Sequence, residues 1–185
     1  REFEFLKKLR DHCNAGLMAR TISIDKNERY ILHGLHLLSA KPILYVSNVN
    51  EQEIMSETRS PLVQQLFDFA QKEKNKSIRI CGQLEQEISS LPPEEKLEFL
   101  KEYGLSEAGL DKVVHASFDL LGLQTYFTGG PKEVRAWTIP KGITAPEAAG
   151  VIHSDFQRGF IKAEVYKFND LNRFGSEQAV KDQGL

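Results

Sequence analysis

The sequence predicts a mixed fold: a parallel α/β layer with helices, a helical pair ahead of it, and a smaller α+β unit behind it. Three observations predict it. A helix, a break and a second helix open the chain, strand and helix signals alternate between residues 42 and 81, and two strand-like stretches joined by a Gly-Gly-Pro turn open the last third. With 185 residues the chain suits one large domain or two small ones, and 41% hydrophobic residues suffice to bury a core.

The elements follow in order. In "REFEFLKKLRDHC", Phe3, Leu6, Leu9 and Cys13 fall three or four apart and "NAG" follows as a stop, so residues 1–15 read as a helix with one apolar stripe. Because the first residues already read as the middle of an amphipathic helix, the chain is expected to be a piece of something longer. Asp25 stands three residues before Glu28, the spacing of a capping box, and Ile31, Leu32, Leu35 and Leu38 then form an apolar face. The pair reads as a helical hairpin or the end of a coiled coil. "PILYVSN" reads as a buried strand, "SPLVQQLFDFAQKEK" as a helix with Ser60 as N-cap and Pro61 at its first position, and "SIRICG" as a second strand. That alternation predicts a parallel sheet. Residues 84–121 read as helical throughout, one helix ending at Gly104 and the next at Gly122.

The last third changes character. "LQTYFTGGPKEVRAWTI" reads as a hairpin, Thr144 and Glu147 flank the start of the short helix "APEAAGVIH", and "GFIKAEVYKF" reads as a further strand. Hairpin, helix and strand give the outline of a ubiquitin-like β-grasp, an outline other α+β arrangements share.

Charge and composition exclude several classes. The formal net charge is -2 with both signs interspersed, so no overall field points to DNA, RNA or an anionic membrane, and any RNA contact has to be local. No apolar run approaches the roughly 18 residues that span a bilayer, and no stretch reads as a secretory h-region. With Cys13 and Cys81 as its only cysteines, the chain is expected in a reducing, cytoplasmic setting. Neither G-x-x-x-x-G-K-[ST] nor a strand-following G-x-G-x-x-G occurs, and two cysteines without paired histidines make no zinc site.

His33 and His36 lie three apart on a helix and could reach one metal, but a solvated or half-buried pair is the plainer reading. His153-Ser154-Asp155 superficially has the members of a hydrolytic triad. Triad partners come from separate elements, so Ser154 or Asp155 reads as a turn or cap. Asn48-Val49-Asn50-Glu51 is better placed, because ligands of doubly wound sheets bind just beyond the carboxyl ends of the strands. Asn48 and Glu51 can line the rim of such a pocket, the carboxylate accepting from a base edge; spacing alone favours a solvated loop. Cys81-Gly82-Gln83 ends the second strand in a small-residue turn where a backbone N–H could approach a ring.

Residues 133–165, "EVRAWTIPKGITAPEAAGVIHSDFQRGFIKAEV", resemble the signature region of the TGS domain in the YchF family of Obg-like ATPases. "ARTISIDKNERYILHGLHLLSAKPILYVSNVNE" and "LEQEISSLPPEEKLEFLKEYGLSEAGLDKVVHASFDLLGLQTYFTGGPKEVRAWTI" resemble the same family in the same order, so nearly the whole chain is covered. The resemblance implies a P-loop nucleotide-binding domain with an inserted coiled-coil arm and a C-terminal β-grasp TGS domain. Residues 1–38 would then end the arm, 39–121 form the C-terminal part of the nucleotide domain, and 122–185 form a TGS domain incomplete at its C-terminus. It also implies ATP as ligand, with Mg²⁺ whose ligands are expected upstream, and ribosome or RNA as partners of the TGS domain and arm. Lys132, Arg135, Lys141, Arg158 and Lys162 supply local positive charge in the TGS zone, which a solvated face would also explain.

Most relatives with this architecture read the base with Asn-Lys-x-Asp, whereas Asn48, Val49 and Glu51 carry the Asn-x-x-Glu form of the YchF family. Asp accepts from both N–H donors of guanine, so a longer Glu that swings away removes two charge-assisted bonds of about 1.5–3 kcal/mol each. Adenine is then no longer rejected. Val49 replaces a long lysine stem by an apolar contact, and Cys81, Gly82 and Gln83 take the place of the second base-side loop, usually Ser-Ala-Lys. No catalytic or metal-binding residue is expected within the chain, so alone it should not hydrolyse ATP. The alternative is a non-catalytic module binding RNA, ribosome or protein through the TGS region.

Overall fold

A computed structural model describes residues 2–130 and 132–184. They fall into two units divided between Leu123 and Gln124.

The first unit opens with α1 (Glu2–Asn14) and α2 (Lys26–Gly34), with single 3-10 turns at Ala19–Thr21 and Leu38–Ala40. Asp25 starts α2 as its spacing predicts: its carboxylate accepts from the Asn27 N–H (2.7 Å) and the Glu28 N–H (2.8 Å), and the Glu28 carboxylate accepts from the Asp25 N–H (2.9 Å). The buried stripe of α1 differs from the expected one. Phe5 and Leu9, one turn apart, pack with Ala19, Ile22 and Leu32, while Phe3 is 78% exposed and Cys13 is exposed. Both stripes satisfy the helical period; which faces inward is set by where the returning segment 19–24 lies. α2 stops at Gly34, short of Leu35 and Leu38, and Leu38 is 81% exposed.

β1 (Leu44–Asn48) pairs with β2 (Lys76–Ile80) in parallel, from Leu44 beside Lys76 to Asn48 beside Ile80. A parallel pair needs a crossover, supplied here by α3 (Glu51–Met55) and α4 (Pro61–Lys72). Val63 and Ala70 are the buried residues of α4. After β2 come α5 (Gly82–Ser90), α6 (Pro93–Glu102) and α7 (Gly109–Leu120). Gly104 and Gly122, with φ of 65° and 63°, sit just past α6 and α7 in the left-handed conformation that ends helices at glycine. Glu73, capping α4, joins the helical opening to the sheet: its Oε2 accepts from Arg20 Nη2 (3.0 Å), the Tyr45 hydroxyl (3.0 Å) and Asn75 Nδ2 (2.9 Å).

The second unit holds β3 (Leu123–Gly129) and β4 (Val134–Pro140), paired across a connection too short for anything but an antiparallel turn. α8 (Ala145–Ile152), α9 (Ser154–Arg158), α10 (Phe168–Phe174) and α11 (Glu177–Asp182) follow. Ile139 and Val180 are its buried residues, and the Tyr126 hydroxyl donates to Ala148 O (2.9 Å), fixing α8 to β3. The strand expected over "GFIKAEVYKF" does not form. Residues 160–167 have no ladder partner among the described residues, with Ile161 91% and Val165 83% exposed, and α10 begins at Phe168. A strand pattern becomes a strand only by pairing its backbone. This segment is held by side chains instead, the Glu164 carboxylate accepting from Lys181 Nζ (2.8 Å) and the Tyr166 hydroxyl (3.1 Å).

Candidate functional site at two strand ends

Parallel pairing brings the carboxyl ends of β1 and β2 side by side. The ladder continues past the strands, with the Val49 N–H donating to Ile80 O (2.8 Å), and Asn48 Oδ1 accepts the Gly82 N–H (2.9 Å). These two contacts lock the loop after β1 onto the loop after β2. A Cβ at position 82 would lie 3.3 Å from Asn48 Oδ1, so glycine gives the backbone its close approach.

The Asn50 side chain is committed to its own helix. Its Oδ1 accepts the Glu53 N–H (2.8 Å) and caps α3, which makes Glu51 the first residue of that helix. The half-buried Glu51 carboxylate makes no hydrogen bond or ion pair among the described residues, nor do Asn48 Nδ2 and the exposed Gln83 amide. One acceptor and two amide groups are thus uncommitted around one corner. Cys81 is 3% exposed, so its thiol is buried beneath the loop.

Tyr103 is the neighbour the sequence reading missed. It stacks on Phe99 with centroids 4.7 Å apart and planes at 28°. Burial first, then the carboxylates of Glu51, Glu87 and Glu102 and the Cys81 thiol, raise its phenol above the ordinary 10.0, which sets it near both loops. Two aromatics four apart at the end of α6 were the available signal.

Below the corner, Arg79 of β2 holds the far end of α3 and the chain beyond. Its Nη1 donates to Glu53 O (3.0 Å) and Thr58 O (3.4 Å), and its Nη2 to Ser56 O (3.2 Å). The Glu53 carboxylate accepts the Ser60 N–H (3.0 Å); the Ser60 side chain first, then that backbone bond, with the nearby Arg79 charge a lesser cause, lower its pKa.

The other candidates resolve differently. His36 lies beyond the end of α2 with φ 50°, its ring 5.9 Å from that of His33, and no three metal-binding side chains converge among the described residues. His153, rather than Ser154 or Asp155, supplies the expected cap: its Nδ1 accepts the Asp155 N–H (3.2 Å) at the start of α9. Lys132, Arg135, Lys141, Arg158 and Lys162 are all exposed, Arg135 lying 4.2 Å over the Trp137 ring. No helix among the described residues is long and apolar enough to cross a membrane.

Comparison with known proteins gives the chain its family. Over 183 residues, 99% of this chain and 50% of the relative, the chain is 45% identical to the ribosome-binding ATPase YchF of Bacillus subtilis. Residues 123–185 match the family model YchF-GTPase_C, described as a protein of unknown function (DUF933). The chain belongs to the YchF family. The Pasteurella multocida ribosome-binding ATPase YchF is 44% identical over 171 residues, covering 92% of this chain and 46% of that protein. The solved structure of the Schizosaccharomyces pombe YchF GTPase superposes with a TM-score of 0.82 at 29% identity, over 98% of this chain and 48% of that one. The chain spans about half the length of the YchF relatives it matches.

Proposed function

We propose that the chain is the C-terminal portion of a cytoplasmic P-loop ATPase of the YchF type, and that it carries the base-reading side of the nucleotide site. The observation that carries this reading is the bond from the Gly82 N–H to Asn48 Oδ1, which brings the two base-side loops to one corner. Adenine fits the groups present: Asn48 Nδ2 and the Gln83 amide offer donors, the Glu51 carboxylate an acceptor, and Gly82 a backbone without a side chain. Val49 supplies an apolar contact, and the buried Cys81 thiol supports the loop from behind.

Bound ATP with Mg²⁺ supplies the phosphoryl group to be transferred. The residues of this chain bind and orient the base, while the groups that hold phosphates and metal lie outside it, so the chain alone releases no phosphate. Residues 122–185 serve as a TGS domain of β-grasp type that, with the helical segment 1–38, contacts ribosome or RNA; the relatives' name of ribosome-binding ATPase supports this. The exposed Lys132, Arg135, Arg158 and Lys162 are the local cations such a contact would use.

Base choice gives the test. In the full-length protein, Glu51→Asp together with Val49→Lys should raise GTP affinity relative to ATP by tenfold or more, since two restored charge-assisted bonds are worth about 2–4 kcal/mol at best. Equilibrium titration of both nucleotides against parent and double variant measures it. An unchanged ratio would mean the base is read elsewhere.

A further inference from the structure

We infer that Arg79 is a positioning residue for base selectivity, acting through the helix that carries Glu51. α3 has only five residues, too few to be stable on its own. Something outside it must hold it. Its first turn is held by Asn50, and its last turn by Arg79, which reaches from the neighbouring strand to Glu53 O, Ser56 O and Thr58 O.

The planar guanidinium suits this task. It offers several N–H donors in a fixed fork and has no acceptor to satisfy, so one side chain binds three carbonyls whose directions diverge. The carbonyls at Glu53 and Ser56 belong to the C-terminal end of α3, where a helix leaves its carbonyls unpaired and favours a cation. Glu53 extends the clamp, because its own carboxylate takes the Ser60 N–H and ties the loop back to the helix.

The consequence falls on Glu51. Its carboxylate makes no hydrogen bond or ion pair among the described residues and has only the Tyr103 phenol as an electrostatic neighbour, so its place is set chiefly by the backbone of α3. Asn48, by contrast, is fixed directly to Gly82. Of the two base-reading side chains, only Glu51 therefore depends on Arg79. Loosening the far end of α3 lets the carboxylate move relative to a base held by Asn48, and the cost differs between two bases that present different edges to it.

This inference rests on the proposed base reading, and its test separates the two. ATP and GTP dissociation constants are measured on the full-length protein for Arg79→Gln, Arg79→Lys, Glu51→Ala and each Arg79 variant combined with Glu51→Ala. Arg79→Gln is expected to change the ATP/GTP affinity ratio by about threefold to tenfold, the order of one lost hydrogen bond. Arg79→Lys, with a point charge in place of the fork, should restore the ratio only in part. In the Glu51→Ala background neither substitution should change the ratio further. Equal weakening of both nucleotides by the Arg79 variants would make Arg79 a purely structural residue and overturn the inference, as would a ratio change that persists without Glu51. If Glu51→Ala itself leaves the ratio unaltered, the base reading fails first. Should Arg79→Gln not fold, Arg79→Lys carries the same comparison, and a parental ratio there overturns the inference too.

Discussion

Gly109 shows how closely single residues are set around the candidate site. Both oxygens of Glu85, one turn beyond Gly82 on α5, cap α7 by accepting the Gly109 N–H (2.6 Å) and the Leu110 N–H (2.9 Å). A Cβ at position 109 would stand 2.5 Å from Glu85 Oε1 and 3.1 Å from Ile80 Cγ2. Gly109→Ala should therefore push the carboxylate off the cap and cost about 1–3 kcal/mol of stability. Denaturant unfolding of parent and variant measures it; equal midpoints would show that Glu85 swings aside at no cost. Such contacts explain why the site was only partly legible in the sequence. Asn48 and Glu51 could be singled out because they end or follow an apolar run that reads as a buried strand, although in the structure only Ser47 of β1 is buried and Val46 is 42% exposed. The reach of Glu85 to Gly109 and of Arg79 to Ser56 crosses more than twenty positions and leaves no local pattern.

Among the elements, those whose ends are written in local chemistry formed where the sequence placed them. α2 is the plainest case, with its reciprocal Asp25 and Glu28 bonds. Asp25→Ala should cost about 1 kcal/mol, the usual worth of an N-cap, and lower the helical circular dichroism of the first unit's thermal transition midpoint accordingly; no change in midpoint would mean that packing of Leu32 alone holds α2. Asn50 and His153 also cap helices, yet the sequence did not show them as caps. Asn50 sits inside a motif that attracts a ligand-binding reading, and a histidine accepts at an N-cap only when its neutral Nδ1 happens to face the turn. Residues 160–167 mark the other limit. Alternation of Ile161, Ala163 and Val165 states what a strand would look like but not whether another backbone lies beside it.

At the scale of the whole molecule, Glu73 is where the helical opening, β1 and the end of α4 meet. Burial first, then the Glu73 carboxylate, raise the Tyr45 phenol above its ordinary 10.0. A phenol whose folded pKa lies above its unfolded one contributes stability fully below the unfolded value and loses it as pH rises through the folded value. The first unit should thus weaken with alkali above about pH 10, and Tyr45→Phe should flatten that part of the curve relative to the parent; superimposable curves would assign the alkaline loss to other groups. The corner built by Asn48 and Gly82 has a further consequence, one of time. Its two halves stand 34 positions apart, so during synthesis the first loop emerges from the ribosome before the second. α4, made in the interval and packed on both strands, is ready to cover β1 before β2 arrives. A pairing this distant in sequence closes late. The nascent chain can assemble this corner only once Gly82 has emerged to meet Asn48.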